Sequence, residues 1–141
     1  MTSKDYVASL FDLTGHVGII TGASRGLGLG QAKVLTDAGA TVYNLDLMPH
    51  TDEEEIAGGR MTDVICDVTD YKKLETVVRE IAEKEGHLDF LINNAGITYK
   101  CRAEEFPEDR LDKIMEINLK TNLVQIGNAL ALDNGDLDEK D

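Results

Sequence analysis

The chain is poor in cysteine, proline and basic residues, and it contains no tryptophan. Two cysteines among 141 residues, Cys66 and Cys101, supply neither a disulfide framework nor a zinc site, which favours a reducing, cytoplasmic setting. The first residues lack the apolar core of a signal peptide, and no apolar run approaches the ~20 residues that span a bilayer. The sequence therefore predicts a cytoplasmic protein with no membrane partner.

Positive charge is also scarce, because 27 acidic residues face 14 basic ones and the formal charge is −13. Nucleic acids and anionic membranes need a basic face on their partner, so this balance argues against both. His16, His50 and His87 fall at a strand start and in loops without ligand spacing, and they predict no metal site. The hydrophobic content of 42% still allows a core, and the length favours one domain.

Short apolar runs alternate with amphipathic stretches along the chain. Strands are predicted at residues 17–20, 41–46, 64–66 and 88–92, the first of them buried. Residues 49–60, with an acidic run, predict a solvated loop or a short surface helix. Cys66 is interpreted as a small core residue at the end of the third strand.

Three helices are predicted between and after these strands. The first ends at Gly39, a residue that favours helix C-termini, and its apolar side is formed by Leu27, Val34, Leu35 and Ala38. The second begins near Asp70 and ends before Gly86, with an apolar stripe at Leu74, Val77, Val78 and Ile81. Pro107 opens the last helix.

This alternation predicts an α/β fold with a doubly wound, parallel, Rossmann-type sheet. Its strand order would be 3-2-1-4, truncated after the fourth strand and the following helix. Ligands of such sheets bind beyond the carboxyl ends of the strands. Residues 1–131 are interpreted as this incomplete domain, and the acidic residues 132–141 as a disordered tail.

A glycine-rich loop, Thr21-Gly22-Ala23-Ser24-Arg25-Gly26-Leu27-Gly28, joins the first strand to the first helix. Glycines at this point let backbone amides approach a pyrophosphate at a helix N-terminus. The candidate cofactor-binding residues of the loop are Gly22, Ser24, Arg25, Gly26, Leu27 and Gly28. The strict G-x-G-x-x-G pattern fails because Gln31 follows Gly30. Two alternatives stay open: residues 26–30 resemble the loop of S-adenosylmethionine-dependent methyltransferases, or the glycines only permit close packing.

Asp46 ends the second strand, 18 residues beyond Gly28 (46 − 28). At about that spacing a carboxylate binds the ribose hydroxyls of NAD and repels the extra phosphate of NADP. Arg25 is the contrary feature, because a guanidinium in the loop can bind a 2′-phosphate. We therefore predict NAD as the cofactor, with NADP as the alternative. The non-functional alternative is that Asp46 is an exposed aspartate at a strand end and binds no ligand.

Three further segments, Cys66-Asp67-Val68, Asn93-Asn94-Ala95-Gly96 and Ile117-Asn118-Leu119, follow in order. With the glycine loop they resemble the short-chain dehydrogenase/reductase family, which uses NAD(P) to oxidise alcohols or reduce ketones. The start of the chain and the stretch after Gly96 are most similar to sugar-acid and polyol dehydrogenases such as gluconate 5-dehydrogenase. The resemblance implies that Asp67 and Val68 hold the adenine, and that Asn94, Ala95 and Gly96 support the sheet and line the cofactor site.

The resemblance also implies that Asn118 is the asparagine of the family's Asn-Ser-Tyr-Lys catalytic set. Its spacing from Ile114 and Leu111 places it on the inward stripe of the last helix, where its amide must find hydrogen bonds. Without the resemblance, Asn118 would be interpreted as a core asparagine bonded to backbone, and Asn93-Asn94 as a plain strand terminus.

The family's proton-transferring Tyr-x-x-x-Lys pattern is missing, because no tyrosine of the chain has lysine four residues later. The sequence therefore predicts a cofactor-binding portion of an oxidoreductase for a small alcohol or ketone, inactive alone. A fragment, a frame change and a genuine short protein all fit this pattern. The alternative is a non-catalytic module that binds a dinucleotide and pairs with a homologue. An unpaired edge at residues 88–92 predicts self-association.

Overall fold

Four parallel strands form one sheet in a computed structural model that describes residues 1–51 and 56–133. The strands are β1 (Val17–Thr21), β2 (Thr41–Asp46), β3 (Met61–Ile65) and β4 (Phe90–Ile92). Their order, β3-β2-β1-β4, confirms the predicted doubly wound arrangement for these strands. Two strands begin at other residues than the sequence predicts. Strand β3 begins at Met61, three residues before the predicted start at 64, and β4 begins at Phe90, two residues after the predicted start at 88.

Five α-helices lie before, between and after these strands among the described residues. They are α1 (Ser3–Ser9), α2 (Gly26–Asp37), α3 (Tyr71–Glu85), α4 (Glu108–Met115) and α5 (Thr121–Asp133), and a π-helical segment (Glu116–Lys120) joins the last two. The sequence reading missed α1, although Thr2 and Asp5 form a capping box at its start. It also missed a short 3₁₀ turn at Ala103–Glu105. Another turn, Ala57–Gly59, lies in the loop predicted at residues 49–60. The acidic run of that loop, residues 52–55, lies outside the described residues.

The core has one apolar cluster on each face of the sheet. On one face α3 packs with the predicted stripe of Leu74, Val77, Val78 and Ile81 against β1 and β2. Asp70 caps the start of this helix and Gly86, in the left-handed conformation at φ 81°, ends it, as predicted. Cys66 is a buried member of this cluster, and burial raises the pKa of its thiol. These elements confirm the prediction for this face.

The opposite face corrects the predicted apolar side of α2. Leu27 and Val34 are 83% and 68% exposed, and only Leu35 of the predicted large apolar residues packs, partly buried, against the cluster on this face. The buried residues of the helix are Gly28, Leu29, Ala32 and Thr36. Gly28 packs directly on the glycine loop, so the helix is rotated until its small residues meet the sheet. Close backbone approach, rather than side-chain hydrophobicity, therefore sets the orientation of α2.

The C-terminal helix α5 contains several residues that disfavour helices. Asn122, Gly127 and Asn128 are poor helix formers, yet they lie within α5, which continues to Asp133. Packing against α3 outweighs their propensity, as tertiary contacts often do. The predicted tail begins inside this helix, and its residues 134–141 lie outside the described residues. Within the described part of the chain, no helix has the length and apolar character needed to cross a bilayer.

Candidate cofactor site

A groove of about 390 Å³ opens at the carboxyl ends of the strands, where the fold class places its ligands. Five chain segments meet there: the glycine loop, the end of β2, the turn after β3, the turn after β4 and the π-helical segment. The lining residues are Gly22, Arg25, Gly26, Leu45, Asp46, Leu47, Cys66, Asp67, Val68, Thr69, Asn94, Ala95, Gly96, Ile97 and Ile117. Nine of the residues that the sequence predicts for cofactor binding are among them.

The glycine loop makes the sharp turn from β1 into α2. Gly22 and Gly26 have φ values of 71° and 60°, a region that side chains disfavour. A Cβ on Gly22 would lie 3.0 Å from the Cα of Ala95, so only glycine fits between the two turns. The first amides of α2 have no side-chain cap, because Arg25 at the N-cap position makes no capping bond. This helix start beside the groove suits an anionic diphosphate.

Gly28 and Leu27 shape the loop without lining the groove. A Cβ on Gly28 would lie 2.4 Å from the Gly22 carbonyl oxygen and 2.5 Å from Asn94 Nδ2. Gly28 therefore acts by close packing, which was the structural alternative for these glycines. Leu27 faces outward from α2. Gly30, on which the methyltransferase alternative depends, lies on the exposed outer side of the same helix.

Asp46 is held at the groove by two backbone amides. Its Oδ1 accepts from Leu47 N at 2.7 Å and its Oδ2 accepts from Ser24 N at 3.2 Å. These bonds fix the carboxylate at the end of β2, next to the glycine loop. A carboxylate has about four lone-pair sites, so this one retains acceptor capacity for ligand hydroxyls.

Ser24 is the predicted loop residue that the structure turns away from the groove. It is 4% exposed, and its hydroxyl accepts from Asn44 Nδ2 at 2.9 Å and donates to the carbonyl of Met48. Its backbone amide is used by Asp46. Ser24 therefore stabilises the loop on the side away from the groove, because its own polar groups already bind other residues of the protein.

The turn after β3 presents Asp67 and Val68 to the groove. Asp67 Oδ1 accepts from the hydroxyl of Thr69 at 2.7 Å and from its amide at 3.0 Å. These hydrogen bonds hold the pKa of Asp67 below its usual value, so the carboxylate is ionised at neutral pH. Val68 is 8% exposed and supplies an apolar wall beside it.

The turn after β4 is tied to the glycine loop. Asn94 Nδ2 donates to the Gly22 carbonyl at 3.0 Å, while the amides of Asn94 and Ala95 donate to Thr21 Oγ1 at 3.1 and 3.0 Å. This geometry joins β1 to β4 exactly where both strands end at the groove. The sequence reading missed Thr21 as a functional residue, although a threonine at the end of a fully buried apolar run was its signal.

Asn118 lies in the π-helical segment and fixes the loop after β4. Its Oδ1 accepts from Ile97 N and its Nδ2 donates to Ile97 O, both at 2.9 Å. The predicted hydrogen-bonding need is therefore met, but the predicted inward position is wrong because Asn118 is an exposed residue. The stripe on which the prediction depends is itself not buried, because Leu111 is 49% exposed and α4 contains no buried residue. Ile117, the neighbour of Asn118, lines the groove instead.

Among the described residues, neither tyrosine nor lysine lines the groove. Tyr71, on α3, lies beside Lys120, whose ammonium is 5.8 Å from the ring centroid. Its hydroxyl donates to Glu116, however, and burial together with this carboxylate raises the pKa of Tyr71. The environment of Tyr71 is therefore opposite to that of a phenol tuned for proton transfer at neutral pH.

Comparison with known proteins agrees with this geometry. A family profile described as short chain dehydrogenase matches residues 16–132. The chain belongs to the short-chain dehydrogenase family. This membership accounts for the parallel sheet, the glycine loop and the turns that meet at the groove.

Individual members of the family show how much of the chain is shared. An NAD-dependent glycerol dehydrogenase of Listeria innocua is 35% identical over 112 residues, which are 78% of this chain and 44% of that protein. A 2-dehydro-3-deoxy-D-gluconate 5-dehydrogenase of Dickeya dadantii is 32% identical over 118 residues, 82% of this chain and 47% of that protein. The sugar-acid dehydrogenases are thus among the relatives, as the sequence suggests.

A solved short-chain dehydrogenase/reductase from Mycobacterium marinum has a TM-score of 0.77 at 30% identity. The match covers 87% of this chain and 52% of that one. The chain therefore spans about half the length of the short-chain dehydrogenases that it matches.

Proposed function

We propose that the chain is the NAD-binding portion of an oxidoreductase that acts on a secondary alcohol or ketone. The observation that carries this proposal is the meeting of the Asp46 carboxylate and the uncapped start of α2 in one groove. A dinucleotide needs both features, since its diphosphate is anionic and its ribose presents hydroxyl donors. Gly22 and Gly28 support this arrangement indirectly, because the absence of a Cβ lets the loop pack against Asn94 and Ala95 beside the groove.

Each part of the groove has its own role in this proposal. The backbone amides at the uncapped start of α2 hold the diphosphate, since those of Ala23 and Ser24 already bind Asn44 and Asp46. Asp46 accepts from the ribose hydroxyls, and Val68 packs beside the adenine, with Asp67 accepting from it. Ala95 and Gly96 line the inner part of the groove, where bound NAD would supply a nicotinamide that takes up or releases a hydride. Asn118, the counterpart of the family's catalytic asparagine, shapes that part through its two bonds to Ile97.

NAD is proposed over NADP because the Asp46 carboxylate repels a phosphate on the ribose. Arg25 also lines the groove and is the one feature that favours NADP. The relative with NAD dependence in its name supports the first choice. Names of the relatives also favour polyols and sugar acids as the substrate class.

The proposal is tested by calorimetric titration of the 141-residue chain with NAD⁺ and NADP⁺. We expect NAD⁺ to bind more tightly, and Asp46→Ala to weaken NAD⁺ binding roughly 10- to 100-fold, as loss of charge-assisted hydrogen bonds of ~1.5–3 kcal/mol implies. Asp37→Ala, an exposed aspartate at the far end of α2, is the control and should leave the affinity unchanged. Absence of NAD⁺ binding, or equal affinities for the Asp46→Ala variant and the wild type, would contradict the proposal.

Turnover is the second part of the test. The chain contains no Tyr-x-x-x-Lys pattern, so we propose that it binds NAD without oxidising glycerol or gluconate by itself. Steady NADH production from either substrate by the purified chain would contradict this part and leave the binding proposal intact.

A further inference from the structure

A buried asparagine in the middle of the sheet supports the glycine loop. Asn44 in β2 is 0% exposed, and its Oδ1 accepts from Ala23 N at 2.8 Å. Its Nδ2 donates to Ser24 Oγ at 2.9 Å and to Asp63 Oδ1 at 2.8 Å. One amide side chain therefore satisfies two neighbouring residues of the loop and one residue of the next strand.

Asp63 extends this network to the connection that follows β2. Asp63 in β3 is in register with Asn44 in β2, so the two side chains lie next to each other on the same face of the sheet. Its second oxygen, Oδ2, accepts from His50 Nδ1 at 2.6 Å and from His50 N at 3.3 Å. Both side chains are mostly enclosed, with exposures of 24% for His50 and 19% for Asp63. This contact fixes His50 to β3.

The residues around His50 bind the glycine loop in turn. Thr51 N donates to Ser24 O at 3.2 Å, and the hydroxyl of Ser24 donates to the Met48 carbonyl. Ser24 N donates to Asp46 Oδ2. A continuous set of hydrogen bonds thus runs from His50 through Asp63, Asn44 and Ser24 to the carboxylate at the groove.

We propose that Asn44, Asp63 and His50 are positioning residues for the adenosine half of NAD. None of the three lines the groove, but their hydrogen bonds fix the glycine loop and Asp46 beside the uncapped start of α2, where the ribose and diphosphate must bind. This inference rests on the proposed function. A loop ordered before binding loses less conformational freedom on binding, which raises affinity without any new contact.

His50 is the point at which this network can be tested with least disturbance of the core. His50→Leu removes the donor to Asp63, whereas His50→Asn keeps an amide donor close to the position of Nδ1. His16→Leu is the matched control, because His16 is exposed just before β1, at the end of this strand that lies away from the groove. Melting temperatures of all variants establish that each is folded at the titration temperature.

The probes are NAD⁺ and ADP-ribose, which contains the adenosine and diphosphate parts that the network is proposed to position. We expect His50→Leu to weaken both about tenfold, the equivalent of ordering one or two side chains. His50→Asn should recover most of the affinity, and His16→Leu should equal the wild type. Hydrogen exchange of the Ala23 and Ser24 amides in the ligand-free chain should be at least about tenfold faster in His50→Leu, since loss of local order exposes them.

The outcomes separate this inference from the proposed function. If the wild type binds NAD⁺ and His50→Leu binds it equally well, positioning by His50 is overturned and NAD binding stands. A loss of affinity without faster exchange at Ala23 and Ser24 also overturns it, because His50 would then act by another route. If the wild type binds neither probe, the proposed function fails and this inference fails with it.

Discussion

Gln125 on α5 is almost completely enclosed, with 2% of its surface exposed. Neither its amide oxygen nor its amide nitrogen has a hydrogen-bond partner within the part of the chain that the structure describes. Its neighbours there are apolar, with Ile19, Leu45, Leu74 and Leu91 around the same small cavity. A buried amide in such surroundings loses its bonds to water and receives none in return.

We therefore expect Gln125→Leu to stabilise the protein. Leucine has a similar volume and removes the unpaired amide, and a buried polar group without partners costs ~1–3 kcal/mol, so the free energy of unfolding should rise by roughly 1–3 kcal/mol. Urea unfolding monitored by circular dichroism measures this difference. Gln125→Glu is the paired variant, and it should lower stability because it introduces a charge at the same place. Equal unfolding midpoints for all three proteins would show that α5 does not pack as described.

The sequence predicts a site residue best where features of its own segment determine its position. The strand end and the spacing from Gly28 both point to Asp46, and the structure places this carboxylate at the groove. Membership of the loop points to Ser24 as well, but the orientation of Ser24 depends on Asn44, which is 20 residues away in sequence. Contacts between strands decide such orientations, and a pattern in one segment does not contain them.

At the scale of elements, α2 shows why helix orientation was harder to predict than helix existence. Its bounds follow from the glycine loop and Gly39, but large apolar residues suggested the wrong buried face. Gly28 is buried without contributing an apolar side chain, so hydrophobic patterning gives it no weight. For α3, patterning and packing agree, and the predicted stripe is the buried one.

Two glycines of α2 provide a matched test of this explanation. A Cβ at Gly28 would lie 2.4 Å from the Gly22 carbonyl oxygen, whereas a Cβ at Gly30 would meet nothing within 4 Å. Gly28→Ala must displace the loop, and overpacking of this kind typically costs ~1–3 kcal/mol. Gly30→Ala should instead be neutral or stabilise the helix by up to ~1 kcal/mol, because alanine is the better helix former.

Thermal unfolding and NAD⁺ titration of both variants measure the difference. Gly28→Ala should unfold at a lower temperature and bind NAD⁺ weakly, while Gly30→Ala should retain the wild-type affinity. The same loss in both variants would mean that glycine content of the helix, and not the contact with Gly22, determines stability.

At the scale of the whole molecule, one side of the sheet remains open among the described residues. There β4 pairs with β1 but with no strand on its other side. Leu27 and Val34 of α2 are exposed next to Ile92 of β4 and line a shallow apolar hollow with it. The strand order that the sequence predicts leaves this edge free, but the exposed apolar face of α2 beside it follows only from the rotation of that helix.

We expect the 141-residue chain to self-associate through this edge and the adjacent apolar hollow. Unpaired strand edges and contiguous exposed apolar surface both favour contact with a second chain. The net charge of −13 opposes such contact at low ionic strength. Salt at about 1 M shortens the screening length to ~3 Å, so association should increase with salt concentration.

Sedimentation velocity over a range of protein and salt concentrations measures this behaviour. Leu27→Glu and Val34→Glu should shift the chain toward monomer by placing a charge in the hollow, since burying an unpaired carboxylate in a contact is unfavourable. Leu10→Glu is the control, because Leu10 is also an exposed apolar residue, at 61%, but does not line the hollow. Each substitution adds one negative charge, so general repulsion would weaken association equally in all three variants. A response confined to Leu27→Glu and Val34→Glu therefore identifies the contact surface, and a wild type that stays monomeric at high salt contradicts the expectation.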